Sequence, residues 1–106
     1  MSGPLAGVRI IDMTAVILGP YATQILGDLG ADIIKVEPPK GDVVRFNGPS
    51  RSPGMGPVFL HLNRSKRSIV LDLKQEEGRA ALLKLVTNAD LLMYNIRPQS
   101  MARLGL

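Results

Sequence analysis

The sequence predicts an α/β fold, Rossmann-like, with a mostly parallel sheet and flanking helices. Three observations carry that expectation. Short β-branched runs alternate with segments of helical period, a proline or glycine stands at most of the junctions, and the connections between successive runs are long enough for crossover helices. A chain of 106 residues with 45% hydrophobic and 21% charged side chains has room for one core and the composition of a folded domain.

The first strand is read at residues 8–13, Val8-Arg9-Ile10-Ile11-Asp12-Met13, and Gly19-Pro20 closes the loop after it, with proline where a first helical turn accepts it. Residues 21–29 place Ala22, Ile25, Leu26 and Leu29 at i, i+3, i+4 and i+7, which predicts one apolar helix face stopped by Gly30. Residues 32–37 form the second strand, ended by Pro38-Pro39. Residues 38–57 hold five of the eight prolines and four of the eleven glycines and show no periodicity, so they are expected to be a long, functional loop. Residues 58–62 suggest one or two helical turns, with His61 partly buried. A third strand is expected at 68–73. The helix at 76–88 has Glu76 and Glu77 in its first turn, favourable for the helix dipole, and Ala80, Leu83 and Val86 along one face, broadened by Leu82. Residues 90–96 give a fourth strand and 98–104 a short helix entered through Pro98.

Composition excludes several kinds of chemistry. With no cysteine there is no disulfide, zinc-thiolate or thiol nucleophile, and the single His61 cannot build a multi-histidine metal site. No apolar run approaches the roughly 20 residues of a membrane helix, and Met1-Ser2-Gly3-Pro4 lacks the layout of a signal peptide, which together point to a cytoplasmic protein. There is no G-x-G-x-x-G after the first strand and no G-x-x-x-x-G-K-[ST], which disfavours nicotinamide cofactors and ATP. Asp12, Asp72 and Asp90 lie in or beside strands, where capping and ladder-edge roles are expected rather than catalysis.

The net charge of +4 is unevenly distributed: Lys40, Arg45, Arg51, Arg64, Lys66 and Arg67 are interrupted by one acid, Asp42. Such a stretch attracts a polyanion or is a solvated basic loop. Nonspecific nucleic-acid binding is the reading from another class, and two tyrosines with two phenylalanines provide little surface for stacking bases. In an open parallel sheet, ligands sit outside the carboxyl ends of the strands near the reversal of strand order. The segments to search are therefore those after Met13, Glu37, Leu73 and Ile96.

The ordered pieces Pro4-Leu5-Ala6-Gly7-Val8-Arg9-Ile10-Ile11-Asp12-Met13-Thr14, Gly19-Pro20, Leu26-Gly27-Asp28-Leu29-Gly30-Ala31-Asp32-Ile33-Ile34-Lys35-Val36-Glu37, Gly41-Asp42 with Arg45, Asn63-Arg64-Ser65-Lys66-Arg67-Ser68-Ile69-Val70-Leu71-Asp72-Leu73-Lys74, Ala89-Asp90, Asn95-Ile96-Arg97-Pro98 and Arg103-Leu104-Gly105-Leu106 resemble the N-terminus of the class III CoA-transferases. That family also holds the α-methylacyl-CoA racemase branch. The resemblance implies that residues 1–106 are the N-terminal part of a large Rossmann-like, CoA-binding domain, cut from an enzyme of several hundred residues that works as an interlocked homodimer. It implies transfer of CoA between an acyl-CoA and a carboxylic acid through an aspartate nucleophile beyond Leu106, so no catalytic residue falls in this segment. Racemase chemistry is the runner-up, and an inert fragment is a third reading.

On the same resemblance, Val16 lies near the thiol arm of CoA. Leu71, Asp72, Leu73 and Lys74 lie against the adenosine, Asn95, Ile96 and Arg97 line the nucleotide, and Arg103 contacts a phosphate. The chemistry is apt, since guanidinium groups make charge-assisted, bidentate hydrogen bonds to phosphates while a lysine acts as a point charge. One departure stands out: many family members carry an arginine where this chain has Pro38, leaving Lys40 or Arg45 as substitutes. The Gly41-Asp42-x-x-Arg45 element resembles the transferase branch more than the racemase branch.

Overall fold

The computed structural model describes residues 3–106; Met1 and Ser2, half of the N-terminal stretch read above for a leader, lie outside the described residues. The elements run β1 (Arg9–Met13), α1 (Leu18–Asp28), β2 (Asp32–Glu37), a 3-10 turn (Val43–Phe46), α2 (Pro57–Leu62), β3 (Lys66–Val70), α3 (Glu76–Thr87), β4 (Leu91–Tyr94) and α4 (Pro98–Arg103). The four strands form one all-parallel sheet in the order β3-β2-β1-β4, with Arg9 beside Asp32, Ile10 beside Leu91 and Ile33 beside Lys66. The α/β, Rossmann-like expectation is met. The strand order reverses at β1, where the chain returns from β3 to pair with its other edge.

Side chains alternate across a strand, so β1 sends Ile11 and Met13 to one face and Ile10 and Asp12 to the other. The first face is apolar throughout: Ile11, Met13 and Val36 pack with Leu82 of α3 and Met101 of α4. On the second face Ile10, Ala31 and Ile33 form a smaller cluster with Leu26. Toward the carboxyl ends of the strands that second face becomes charged, with Asp12, Lys35 and Glu37 at most 2% exposed.

Several boundaries and faces differ from the sequence reading. The third strand lies at Lys66–Val70 rather than 68–73, and the fourth at Leu91–Tyr94 rather than 90–96. Each ladder ends where its inner neighbour ends: the Leu71 N–H donates to the Glu37 carbonyl at 3.0 Å, and Pro39, which would give the next bond from β2 to β3, has no N–H. Helix α1 begins at Leu18 and buries Pro20, Thr23, Gln24 and Gly27, leaving Ile25 and Leu29 exposed. Of the predicted apolar face, Leu26 packs on the Ile10 cluster and Ala22 is half-buried, while Ile25 and Leu29 are turned outward, the helix facing the charged end of the sheet with Thr23, which donates to Asp12.

Helix α3 buries Leu82, with Leu85, Val86 and Ala89 packed beside it, while Ala80 and Leu83 are exposed. Its rotation is tied to Gly78, where an added Cβ would stand 2.0 Å from the Asp72 carbonyl oxygen. His61 is exposed rather than partly buried, because the short α2 buries Phe59 instead. The long loop is not wholly irregular: Asp42 caps the 3-10 turn by accepting the Val44 N–H at 3.2 Å.

Candidate functional site: a cleft over a buried charge network

The carboxyl ends of the four strands open into a cleft of about 680 Å³, lined by residues 13–15, 35–43 and 71–74 with Ile96 and Leu104. Its volume is in the range of small-molecule sites, and its position is the one the parallel topology dictates. The cleft has an apolar wall from Val36, Leu71, Leu73, Ile96 and Leu104, and beside it a polar wall made by ends of the charged face.

The charged network is built from three ion pairs. Lys35 Nζ stands 3.0 Å from Asp42, both side chains 1% exposed. Lys66 Nζ stands 3.1 Å from Asp12 and donates to the Pro20 carbonyl and Asn63 Oδ1. Arg45 grips Glu37 with Nε at 2.7 Å and Nη2 at 2.6 Å while its guanidinium lies 3.8 Å over the Phe59 ring. Every lone pair the network needs is served: Thr23 donates to Asp12 at 2.6 Å, Thr14 N–H at 2.8 Å, Asp42 N–H to Glu37 at 2.8 Å, and the Ser68 hydroxyl to Glu37. Among the described residues no buried side-chain nitrogen or oxygen lacks a partner.

The environment moves the ionisations in opposite senses. Burial alone would raise the Glu37 pKa, but the hydrogen bonds from Arg45, Ser68 and the Asp42 N–H outweigh it and bring it down to about 2. Burial pushes the Lys66 ammonium below its ordinary range against the pull of Asp12.

Above the network lies an unusual turn. Val16 has φ +76, a left-handed conformation that a β-branched residue rarely adopts, and it is 42% exposed. Its N–H donates to both Asp42 oxygens at 3.3 Å. Asn95 exchanges two hydrogen bonds with the preceding residue, accepting from Ala15 N–H at 3.2 Å and donating to its carbonyl at 2.9 Å.

Of the residues singled out from sequence, Leu71, Asp72, Leu73, Lys74 and Ile96 line the cleft. Val16 and Asn95 meet at its edge through Ala15. Arg97 caps the start of α4 and Arg103 stands in its last turn, both exposed and neither on the cleft wall. Arg45 is committed to Glu37, whereas Lys40 lines the cleft with no acidic partner among the described residues.

The basic stretch is largely neutralised. Arg64 pairs with Asp28, Lys66 with Asp12, Arg67 with Asp32 and Arg45 with Glu37. Sequence reasoning missed Lys35, Glu37 and Asp42, because nothing contiguous in the chain marks them as buried: Asp42 meets Lys35 and Glu37 meets Arg45 only once the loop after β2 folds back over the sheet.

The profile described as CoA-transferase family III matches residues 5–106. Succinyl-CoA:mesaconate CoA-transferase of Haloarcula hispanica is 44% identical over 105 residues, taking in 95% of this chain and 26% of its own length. Acetyl-CoA:oxalate CoA-transferase of Acetobacter aceti is 49% identical over 104 residues, 97% of this chain and 26% of its own. The crystal structure of a CAIB/BAIF family protein from Brucella suis superposes with a TM-score of 0.93 at 38% identity, covering 100% of this chain and 29% of that one. The chain thus spans about a quarter of the length of the curated relatives it matches.

Proposed function

From the premise that this chain belongs to CoA-transferase family III, we propose that the protein carrying it transfers CoA between an acyl-CoA and a carboxylic acid, and that residues 1–106 supply part of its CoA-binding domain. The observation that carries this reading is the cleft at the strand switch, whose walls include five of the nine residues assigned to CoA from sequence, Leu71, Asp72, Leu73, Lys74 and Ile96. Both relatives described above are named as enzymes that move CoA between an acyl-CoA and a dicarboxylic acid. The aspartate nucleophile belongs to the part of the protein beyond Leu106.

In this reading Leu71, Leu73 and Ile96 give the adenine ring apolar surface, and the exposed backbone at the ends of β3 and β4 reads its polar edge. Lys74 and Lys40, both lining the cleft, are the cations free to meet phosphate. Lys40 takes the place left by Pro38, since Arg45 is held by Glu37. Arg97 and Arg103 reach the phosphates from α4, where both are exposed. Val16 lies beside the thioester arm, and Asn95 acts through Ala15. The interlocked homodimer is supported by the outward row Ile17, Leu18, Tyr21 and Ile25, all at least 42% exposed.

Two measurements on the whole protein test the proposal. Calorimetric titration is expected to show CoA binding more tightly than ATP. Incubation of an acyl-CoA with a dicarboxylate is expected to yield the new thioester by mass spectrometry. Equal or weaker binding of CoA, or no exchange with any of a panel of acyl-CoA and dicarboxylate pairs, sinks it.

A further inference from the structure

The turn after β1 is held far more completely than a surface turn requires. Between the Thr14 N–H and the Val16 N–H there are five backbone polar groups, and a side chain meets every one. Asp12 accepts the Thr14 N–H at 2.8 Å, and Lys35 Nζ donates to the Thr14 carbonyl at 3.0 Å. Asn95 satisfies both groups of Ala15, and Asp42 accepts from Val16. These side chains come from β1, β2, the loop after β2 and the segment after β4. Water would satisfy an exposed turn as well. What water cannot do is hold a β-branched residue at positive φ, a conformation that persists only where its surroundings over-determine it.

We propose that Lys35, Asp42 and Asn95 are positioning residues that clamp residues 14–16 in this strained conformation, and so fix the place of Val16 at the edge of the cleft. The inference deepens the CoA-transfer reading and rests on it for its catalytic consequence, because Val16 is the residue assigned to the thioester arm. Lys35 and Asp42 pair with each other at 3.0 Å, so the two ends of the turn, the Thr14 carbonyl and the Val16 N–H, hang on a single buried ion pair. Asn95 locks the middle from the opposite side of β1. A turn fixed from both sides presents the Val16 side chain and the backbone beyond it in one geometry and needs no rearrangement when a thioester arrives.

The experiment uses the whole protein with Asn95→Ala, Val16→Gly and their combination; Asn95 is exposed, so its truncation leaves the buried pair intact. Asn95→Ala is expected to lower kcat at least ten-fold while KM for the acyl-CoA stays within about three-fold, since binding rests on the other cleft residues. Glycine adopts positive φ without help, so the same Asn95→Ala change is expected to lower kcat by a clearly smaller factor in the Val16→Gly background. Equal fold-changes in the two backgrounds, or an unaltered kcat in Asn95→Ala, overturn the proposal. A second readout is independent of catalysis: hydrogen exchange of the segment 14–18, followed by mass spectrometry, is expected to be slow in the native protein and at least ten-fold faster in Asn95→Ala. Exchange already at the rate of a free peptide overturns the clamp. A protein with slow exchange but no CoA transfer refutes the functional reading alone.

Discussion

The Glu37 carboxylate accepts from two nitrogens of Arg45, from Ser68 and from the Asp42 N–H, which accounts for a pKa of about 2 in spite of its burial. Because the folded value lies below the ordinary 4.5, the stability it contributes is fully present above pH 4.5 and is lost as pH falls from there toward 2. The difference corresponds to about 3 kcal/mol at neutral pH. Urea unfolding between pH 6 and pH 2.5 is expected to show a steep loss of stability, and Glu37→Gln to be less stable at pH 6 with a flatter profile. Individual charges of this kind were not legible in the sequence. Asp12, Lys35, Glu37 and Lys66 are ordinary surface residue types, and only the distance from each to a partner elsewhere in the chain shows that they are buried as pairs rather than solvated.

Helix α1 shows how an element with a clear apolar stripe can leave half of it, Ile25 and Leu29, outside while burying Thr23 and Gln24. Thr23 donates to Asp12, so Thr23→Val, though similar in shape, leaves a buried carboxylate short of a donor and is expected to cost about 1–3 kcal/mol. Ile25→Lys, on the stripe that sequence periodicity assigns to the core, is expected to change the stability of the folded monomer by less than about 0.5 kcal/mol. Thermal denaturation of the two variants separates the readings, since the periodic assignment predicts the reverse order. Helix α3 gives a second case. Gly78 packs on the backbone of Asp72, so Gly78→Ala, normally favourable in a helix, must displace residues 71–74. The expected result is a lower melting temperature together with at least a ten-fold loss of CoA affinity by calorimetry. The elements themselves were legible, β2 to the residue, because local period and proline punctuation set them. Their rotations were not, because the face a helix buries is set by what packs against it: Thr23 of α1 meets the charged end of the sheet, and Leu82 of α3 meets the apolar face.

At the scale of the molecule, the charge excess matters less by its sum than by which cations are left free. Lys40 and Lys74 on the cleft are without acidic partners among the described residues, while Arg64 is held by Asp28. Lys40→Ala and Lys74→Ala are each expected to weaken CoA binding by roughly three- to ten-fold at low salt and by less at high salt, and Arg64→Ala to leave it unchanged. The same pairing removes most of the basic surface that a nucleic acid would require. It turns the stretch from Lys40 to Arg67 into a set of ties between the loop and the sheet.

The sequence by itself determined the alternation of strands and helices, the parallel sheet, the end of that sheet where a ligand belongs, and the family. These depend on periodicity and on motifs contiguous in the chain, which folding does not alter. Only the tertiary structure decided which helix faces are inside, which charges are paired and which cations face the cleft. Asp12 and Lys66, or Ala15 and Asn95, are distant in the chain and become neighbours through strand order, and burial and pairing follow from what packs against a side chain rather than from its own identity.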